Sequence, residues 1–295
     1  MIFPESLQVP PLKEALRLDL FLIEQFPETS RAFWRKNLLD LVRVDGLLPK
    51  KGSLLHGNET LSFLKTSVDF FEIPPSFSIQ IHYEDPHFLI VEKPSGISMY
   101  PLKAGEQNTL VQALVPRYPE LLKVSPRAVE AGLLHRLDRE TSGLVLLARH
   151  REVYDFFRNE FEAHRVEKEY RAWVEGVFSE KAGVLDQPIQ HHPKNKKKMQ
   201  VSVEGRPAHT QYEVLDCDGK NSILKIQITT GVRHQIRVHL AHCGHPLLGD
   251  TLYGAKPIEP PRFFLHASRL SFRHPMHMRR VAVSSLPAWW RIESQ

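Results

Sequence analysis

His135-Arg136-Leu137-Asp138-Arg139-Glu140-Thr141-Ser142-Gly143 is the densest polar stretch of the chain. It follows an apolar pair, Leu133-Leu134, and leads into Gly143–Ala148, an apolar run that reads as a buried strand. An aspartate between two arginines, on a loop entering a core strand, is equipped to work as a carboxylate nucleophile or base, because nearby cations favour its ionised form. The bland reading of the same residues is a surface loop with exposed ion pairs. Thr141 and Ser142 supply hydroxyls, and Gly143 a permissive backbone for a tight turn.

Outward from this loop the pattern is one of strands with few helices. Phe88-Leu89-Ile90-Val91 reads as a buried strand ending at Lys93-Pro94-Ser95-Gly96, and residues 108–115 predict a helix. His150–His164 sets Val153, Phe156, Phe157, Phe161 and His164 on one helical face. Lys168–Glu175 alternates, with Tyr170, Ala172 and Val174 on one side and Arg171, Trp173 and Glu175 on the other; Ile223–Thr229 alternates too. Arg237, taken alone, is a solvated strand arginine. This mixture predicts an α+β domain over residues 79–295, built on a large, mostly antiparallel sheet.

The N-terminal part is a separate block over residues 11–67. Leu16, Leu18, Leu20, Phe21 and Leu22 predict a first helix, and Thr29 or Ser30 is placed to cap a second over Arg31–Leu41. Val42-Arg43-Val44-Asp45-Gly46 reads as a strand entering a hairpin, His56-Gly57-Asn58 as a turn, and Leu61-Ser62-Phe63 as a short strand. The prolines of Ile73-Pro74-Pro75-Ser76 mark a linker and the domain boundary.

Composition narrows the function classes. The 295 residues are 42% hydrophobic and 25% charged, which excludes collagen-like and wholly disordered chains. Lys and Arg number 39 against 34 Asp and Glu, a net charge of +5 that accommodates an anionic partner. No window approaches the ~18 consecutive apolar residues of a membrane span. Met1–Ser6 lacks a basic stretch followed by an apolar core, so no secretory signal is expected. Cys217 and Cys243 build neither a disulfide framework nor a C-x-x-C metal spacing, so a reducing cytoplasm is the expected location.

His135–Gly143 resembles the signature of the RluA family of pseudouridine synthases, in which the aspartate of the His-Arg-Leu-Asp run is catalytic. Lys93-Pro94-Ser95-Gly96 resembles the family's first motif, Lys168-Glu169-Tyr170 its Lys-x-Tyr motif, and Thr230-Gly231 with His234-Gln235-Ile236-Arg237-Val238-His239 its third. Gly244-His245-Pro246, Gly249-Asp250 and Tyr253-Gly254 resemble the segment that follows. The third motif usually carries Arg directly after Thr-Gly; here Val232 stands there and Arg233 follows.

The resemblance implies isomerisation of uridine to pseudouridine in RNA. The glycosidic bond breaks, the uracil turns, and the base rejoins the sugar through carbon 5. No electron, donated group or energy input is consumed, so no cofactor and no metal are expected. In this reading Asp138 acts at the sugar, Arg237 holds its carboxylate, and Tyr170 stacks on the detached base and relays the carbon 5 proton. The target uridine is flipped out of its stack. Arg136 and Arg139 meet phosphate or fill the vacated space, with His135 and Thr141 also placed at the substrate.

The block at 11–67 resembles the alpha-L RNA-binding domain, first known from a ribosomal small-subunit protein, through Arg17-Leu18-Asp19-Leu20-Phe21-Leu22, Ser30-Arg31, Val42–Gly46 and Leu55–Asn58. That likeness implies that Arg31, Arg35 and Arg43 contact phosphates. Lys194-Asn195-Lys196-Lys197-Lys198 reads as an exposed basic loop, with Lys196 and Lys197 as a phosphate clamp. Ribosomal large-subunit RNA is the expected substrate and transfer RNA the alternative; the chain is expected to act as a monomer, away from membranes. Two further readings compete. One is an RNA-binding protein without catalysis. The other is a metal-dependent hydrolase using His234, His239, His242 and His245, whose spacing lacks the His-Glu-x-x-His pattern.

Overall fold

Alternation along the chain becomes a nine-stranded sheet. The computed structural model describes residues 3–27, 29, 31–50, 52–64, 77–101, 106–287 and 289–290. The chain divides into two units by packing: Met1–Ser78 with Ser98–Leu133 and Arg149–Arg151, and Ile79–Ile97 with Leu134–Ala148 and Glu152–Gln295. The Pro74-Pro75 linker lies outside the described residues, as does Ser30.

The first unit contains β1 (Ser6–Gln8), β2 (Leu16–Arg17), α1 (Leu18–Gln25), α2 (Arg31–Leu41), β3 (Val42–Val44), β4 (Leu54–Leu55) and β5 (Thr60–Phe63). Strands β1, β5 and β3 form one antiparallel sheet, and β2 pairs with β4. That second pairing draws Leu16 and Arg17 into a strand, so the first helix starts at Leu18. Val44 and Leu47 exchange two 2.9 Å backbone hydrogen bonds across Asp45 (φ 48°) and Gly46 (φ 77°), the twist a two-residue hairpin needs. Thr29 is no free cap: its hydroxyl donates to Phe26 O and accepts from the Trp34 indole N–H, both at 2.7 Å. Phe3 stacks on Phe63 at 5.3 Å and meets Phe26 edge-on at 5.1 Å, closing an aromatic core. The helix expected over 108–115 is α3 (Leu110–Leu114), started by a capping box between Thr109 and Gln112.

The second unit carries β6 (Gln80–Glu84), β7 (Phe88–Lys93), β8 (Ser142–Ala148), α4 (Arg151–Glu162), β9 (Glu167–Glu175) and β10 (Ala182–Leu185). It continues with β11 (Ile189–His191), β12 (Met199–Val201), β13 (Thr210–Cys217), β14 (Asn221–Ile228), α5 (Gln235–His242), β15 (Leu265–Arg273) and β16 (Arg280–Ser284). The large sheet runs β10-β13-β14-β9-β15-β8-β7-β6, with β16 also on β15. Among the described residues its one parallel pairing is β8 with β15. This is the α+β class with a mostly antiparallel sheet. Phe157 of α4 is fully buried and meets Phe88 and Phe272 edge-on at 5.7 and 5.0 Å, which clamps the helix to the sheet. Burying such a ring contributes about 1.5–3 kcal/mol.

Gly143 is a glycine for a reason other than the turn. It pairs with Ala267 where β8 and β15 run side by side, its φ is +115°, and an added Cβ would lie 2.4 Å from Ala267 O. Backbone, not a flexible side chain, occupies that space, so Gly143→Ala is expected to cost about 2–4 kcal/mol. Urea unfolding measures this, and an unchanged midpoint would refute the close-approach explanation.

Candidate active site

The loop bearing Asp138 is held from three directions. Asp138 through Thr141 form a turn closed by the Thr141 N–H donating to Asp138 O at 3.2 Å. Lys93, Ser95 and Gly96 staple its next residues. The Gly96 N–H donates to Arg139 O at 2.9 Å, Ser95 Oγ donates to Glu140 O at 2.6 Å, and Arg139 Nε donates back to Gly96 O at 2.8 Å. Lys93 is completely buried, and its Nζ donates to Pro94 O, Ile97 O and Arg139 O at 2.8, 3.1 and 2.8 Å. Burial drives its pKa down to about 7 against the pull of Glu140 and Asp138, and three carbonyl acceptors match the three protons of an ammonium. Beyond the loop, Ser142 Oγ lies 2.9 Å from His266 Nδ1.

His135 belongs to this frame. Its Nε2 accepts the Leu146 N–H at 3.0 Å, its ring packs 5.4 Å from Phe161, and burial, helped by Lys168, pushes its pKa down to about 3. The neutral ring therefore carries its proton on Nδ1.

The third motif is a helix, not a strand. Gln235 ties its start down: Oε1 accepts from Thr230 Oγ1 and the Val232 N–H at 2.8 and 3.1 Å, while Nε2 donates to His209 O and Thr210 Oγ1 at 2.9 and 3.1 Å. Two residues on, Arg237 is buried and not solvated. Its Nη1 donates to Asp138 Oδ2 at 3.1 Å. Its Nε and Nη2 grip Asp250 in a bidentate pair at 2.7 and 2.9 Å. The guanidinium lies against two rings, 4.4 Å from the Phe263 centroid and 5.0 Å from that of Tyr253. Burial works against its charge, but the hydrogen bonds and charges of Asp250 and Asp138 outweigh it, so its pKa is raised. Asp250 thus fixes Arg237, and Arg237 presents one N–H to Asp138.

Tyr170 stands on β9 opposite Ile226 of β14 and Ala267 of β15, nearly buried, with no hydrogen-bond partner for its hydroxyl among the described residues. Burial first, and the Asp138 charge second, raise its pKa, so it stays a phenol at neutral pH. Asp138, Tyr170 and Arg237 therefore form one charge-coupled set. His234 completes it, with Nε2 3.9 Å from Asp138 Oδ1 and Nδ1 2.8 Å from the Tyr253 hydroxyl.

The other expected contacts fall elsewhere. Arg136 is exposed, Arg139 is exposed although stapled to Gly96, and Thr141 is buried in the frame. Lys196 and Lys197 are exposed in the turn between β11 and β12, and Lys198 Nζ sits 5.3 Å from the Tyr253 ring centroid. Val232, where the family motif usually has Arg, packs on the cluster of Ile189, Met199, Val238 and Tyr253. In the first unit, Arg31 and Arg35 are exposed but share Asp19 with Arg17, at 3.0, 3.7 and 2.9 Å. Arg43 is committed to the end of α2, where Nη1 donates to Leu39 O and Val42 O. The four histidines of the hydrolase reading do not converge. His239 bonds Thr210 and Gln187 O, and His245 bonds Glu175 O and stacks on Phe178 at 4.1 Å.

Asp250, His234, Phe263 and Tyr253 were not singled out from the sequence for roles at this site. Asp250 and Tyr253 lie in the Gly249-Asp250 and Tyr253-Gly254 segment and His234 in the third motif, none of which reveals a partner in sequence alone, and Phe263 lies in no motif.

Residues 87–242 match the family model described as RNA pseudouridylate synthase. The chain is 35% identical over 293 residues, 95% of its length and 89% of the relative's, to an uncharacterized RNA pseudouridine synthase of Chloroflexus aurantiacus. It is 32% identical to ribosomal large subunit pseudouridine synthase D of Haemophilus ducreyi, covering 88% of this chain and 84% of that protein. Among solved structures, human RNA pseudouridylate synthase domain containing 1 superposes with a TM-score of 0.59 at 25% identity, covering 73% of this chain and 86% of that one.

Proposed function

Because the chain belongs to the RNA pseudouridylate synthase family, and so isomerises uridine to pseudouridine in RNA, we propose that Asp138, Arg237 and Tyr170 carry the reaction and that ribosomal large-subunit RNA is its substrate. One observation supports the residue assignment most: the 3.1 Å contact by which Arg237, itself locked to Asp250, holds the Asp138 carboxylate.

Asp138 works at the sugar, where the bond from C1′ to N1 of uracil breaks. The freed base rests against the Tyr170 ring and turns to offer carbon 5, and a new bond forms from carbon 5 to C1′. The proton then on carbon 5 must leave. Tyr170, kept as a phenol, accepts it only if its own proton moves on: the nearby Asp138 carboxylate relays that proton, and N1, left with the bond's electron pair when the glycosidic bond broke, takes one up, so the product keeps every atom of the uridine. Tyr170→Phe keeps the stacking ring and removes this relay. It is expected to leave RNA affinity near normal and to block release of tritium from RNA labelled at carbon 5 of uridine. Release at the wild-type rate would reduce Tyr170 to a stacking platform.

The substrate assignment rests on the named relative, which acts by its name on the large ribosomal subunit. A site-resolved pseudouridine map of total RNA, with and without this protein, tests it. Loss of modification in large-subunit RNA is the expected result, and loss confined to transfer RNA favours the alternative.

We further assign residues 11–67 to an alpha-L RNA-binding domain and 79–295 to catalysis. The cluster of Arg17 on β2 with Arg31 and Arg35 on the exposed face of α2 supports this, since three guanidiniums share the single negative charge of Asp19. Replacing Arg31 and Arg35 with Ala is expected to make the slope of log affinity against log salt shallower by about 1–2, with turnover at saturating RNA unchanged. An unaltered slope would remove this face from the RNA contact.

A further inference from the structure

The Tyr253 hydroxyl has two neighbours: it accepts the Met199 N–H at 3.0 Å and lies 2.8 Å from His234 Nδ1. Tyr253 is nearly buried, and among the described residues its phenolic proton has no other acceptor. If Nδ1 carried the imidazole proton, the phenol would have to accept twice and leave its own proton unpaired, which is costly in a buried site. The phenol therefore donates to Nδ1, and the proton of a neutral His234 sits on Nε2. That nitrogen faces Asp138 Oδ1 at 3.9 Å, while Arg237 holds Oδ2 at 3.1 Å.

The backbone aims the ring as firmly as the tyrosine does. His234 precedes α5 in the left-handed region, at φ 55° and ψ 20°, a strained conformation for a residue with a Cβ. Its carbonyl accepts the Val238 N–H at 2.9 Å, the first bond of the helix that carries Arg237. Both groups that face the Asp138 carboxylate thus come from one helix start.

We propose that His234 is a positioning residue for Asp138: Tyr253 fixes its tautomer so that a neutral Nε2–H is held toward the carboxylate oxygen that Arg237 does not reach. The inference rests on Asp138 being the reactive carboxylate. The approach at 3.9 Å is longer than a hydrogen bond, and a small rotation of the aspartate closes it when the nucleotide seats. Neutrality matters. A second cation beside Arg237 would bind the carboxylate too tightly for it to attack or take a proton, whereas a neutral donor orients it and leaves its charge available. The groups facing the ring are Asp138, Arg237, Arg233, Asp250 and Tyr253. Burial dominates and pushes the His234 pKa down to about 4, with Asp138 pulling it up and Arg237 and Arg233 pressing it down, so the ring is neutral at working pH.

Nitrogen-15 NMR of the unmutated protein labelled in histidine reads the tautomer directly. The expected result is a His234 ring protonated at Nε2 and bare at Nδ1 from about pH 5.5 to 8. A ring protonated at Nδ1, or a cation at neutral pH, overturns the proposal. His234→Asn tolerates the left-handed backbone but loses the Nε2 donor. Its kcat should fall about 10–100-fold with KM for RNA within about 2-fold, and the acid limb of its kcat–pH profile should move to higher pH. His234→Gln, whose amide reaches further, should recover part of the loss. Wild-type kcat and an unmoved profile in His234→Asn also overturn the proposal. An active Asp138→Asn would instead sink the reading of Asp138, so the two failures are distinguishable.

Discussion

Asp138→Asn is expected to abolish pseudouridine formation while RNA binding stays within a few-fold. The substitution is isosteric and removes only the charge that attack at the sugar or proton removal requires. The surroundings should survive it. Arg237 keeps its bidentate grip on Asp250, the Thr141 N–H still closes the turn on a backbone carbonyl, and Lys93 still binds Arg139 O. A folded, RNA-binding, inactive protein is therefore the expected result, checked by single-turnover assay beside a binding titration. Residual turnover above roughly a thousandth of wild type, a loss of only ~4 kcal/mol, would count against Asp138.

Arg237→Met is the second large effect, and it mixes two consequences. It removes the cation that holds Asp138, so turnover should fall by about 100-fold or more. It also strands Asp250, whose side chain is only 2% exposed, without its bidentate partner. Breaking a buried pair in this way costs about 3–5 kcal/mol, so the melting temperature should fall as well. The double variant Arg237→Met, Asp250→Asn separates them. With no stranded charge it should regain much of the stability, but none of the activity, because nothing then reaches Asp138 Oδ2. Recovery of both together would show that Arg237 is only part of the frame.

How much of this was visible beforehand differs by element. The signature at His135–Gly143 and the order of the matched motifs carried the family and the Asp138–Tyr170–Arg237 set, and period-2 alternation located β9 and β14. Helix α5 is not legible in the sequence, where Arg237 taken alone reads as a solvated strand arginine: its buried residues run unbroken from Gln235 to Leu240, so no polar stripe reveals the period of 3.6. The bonds that Arg43 makes to Leu39 O and Val42 O, at the junction of α2 and β3, are not legible from its sequence neighbours. Asp250 and His234 are tertiary facts: one meets Arg237 and the other Asp138 only once the chain has folded. Gly143 reads in the sequence as a permissive residue for a turn, whereas the neighbouring strand is what requires a glycine there.

Isomerisation of uridine by one carboxylate, held by Arg237, has a direct readout. Tritium release from large-subunit ribosomal RNA labelled at carbon 5 of uridine, with wild-type and Asp138→Asn protein at equal RNA occupancy, tests it most directly. The expected result is release by the wild type, matched by new pseudouridine at discrete sites, and none by the variant. Release by the variant, or bound RNA that the wild type leaves unmodified, would contradict it.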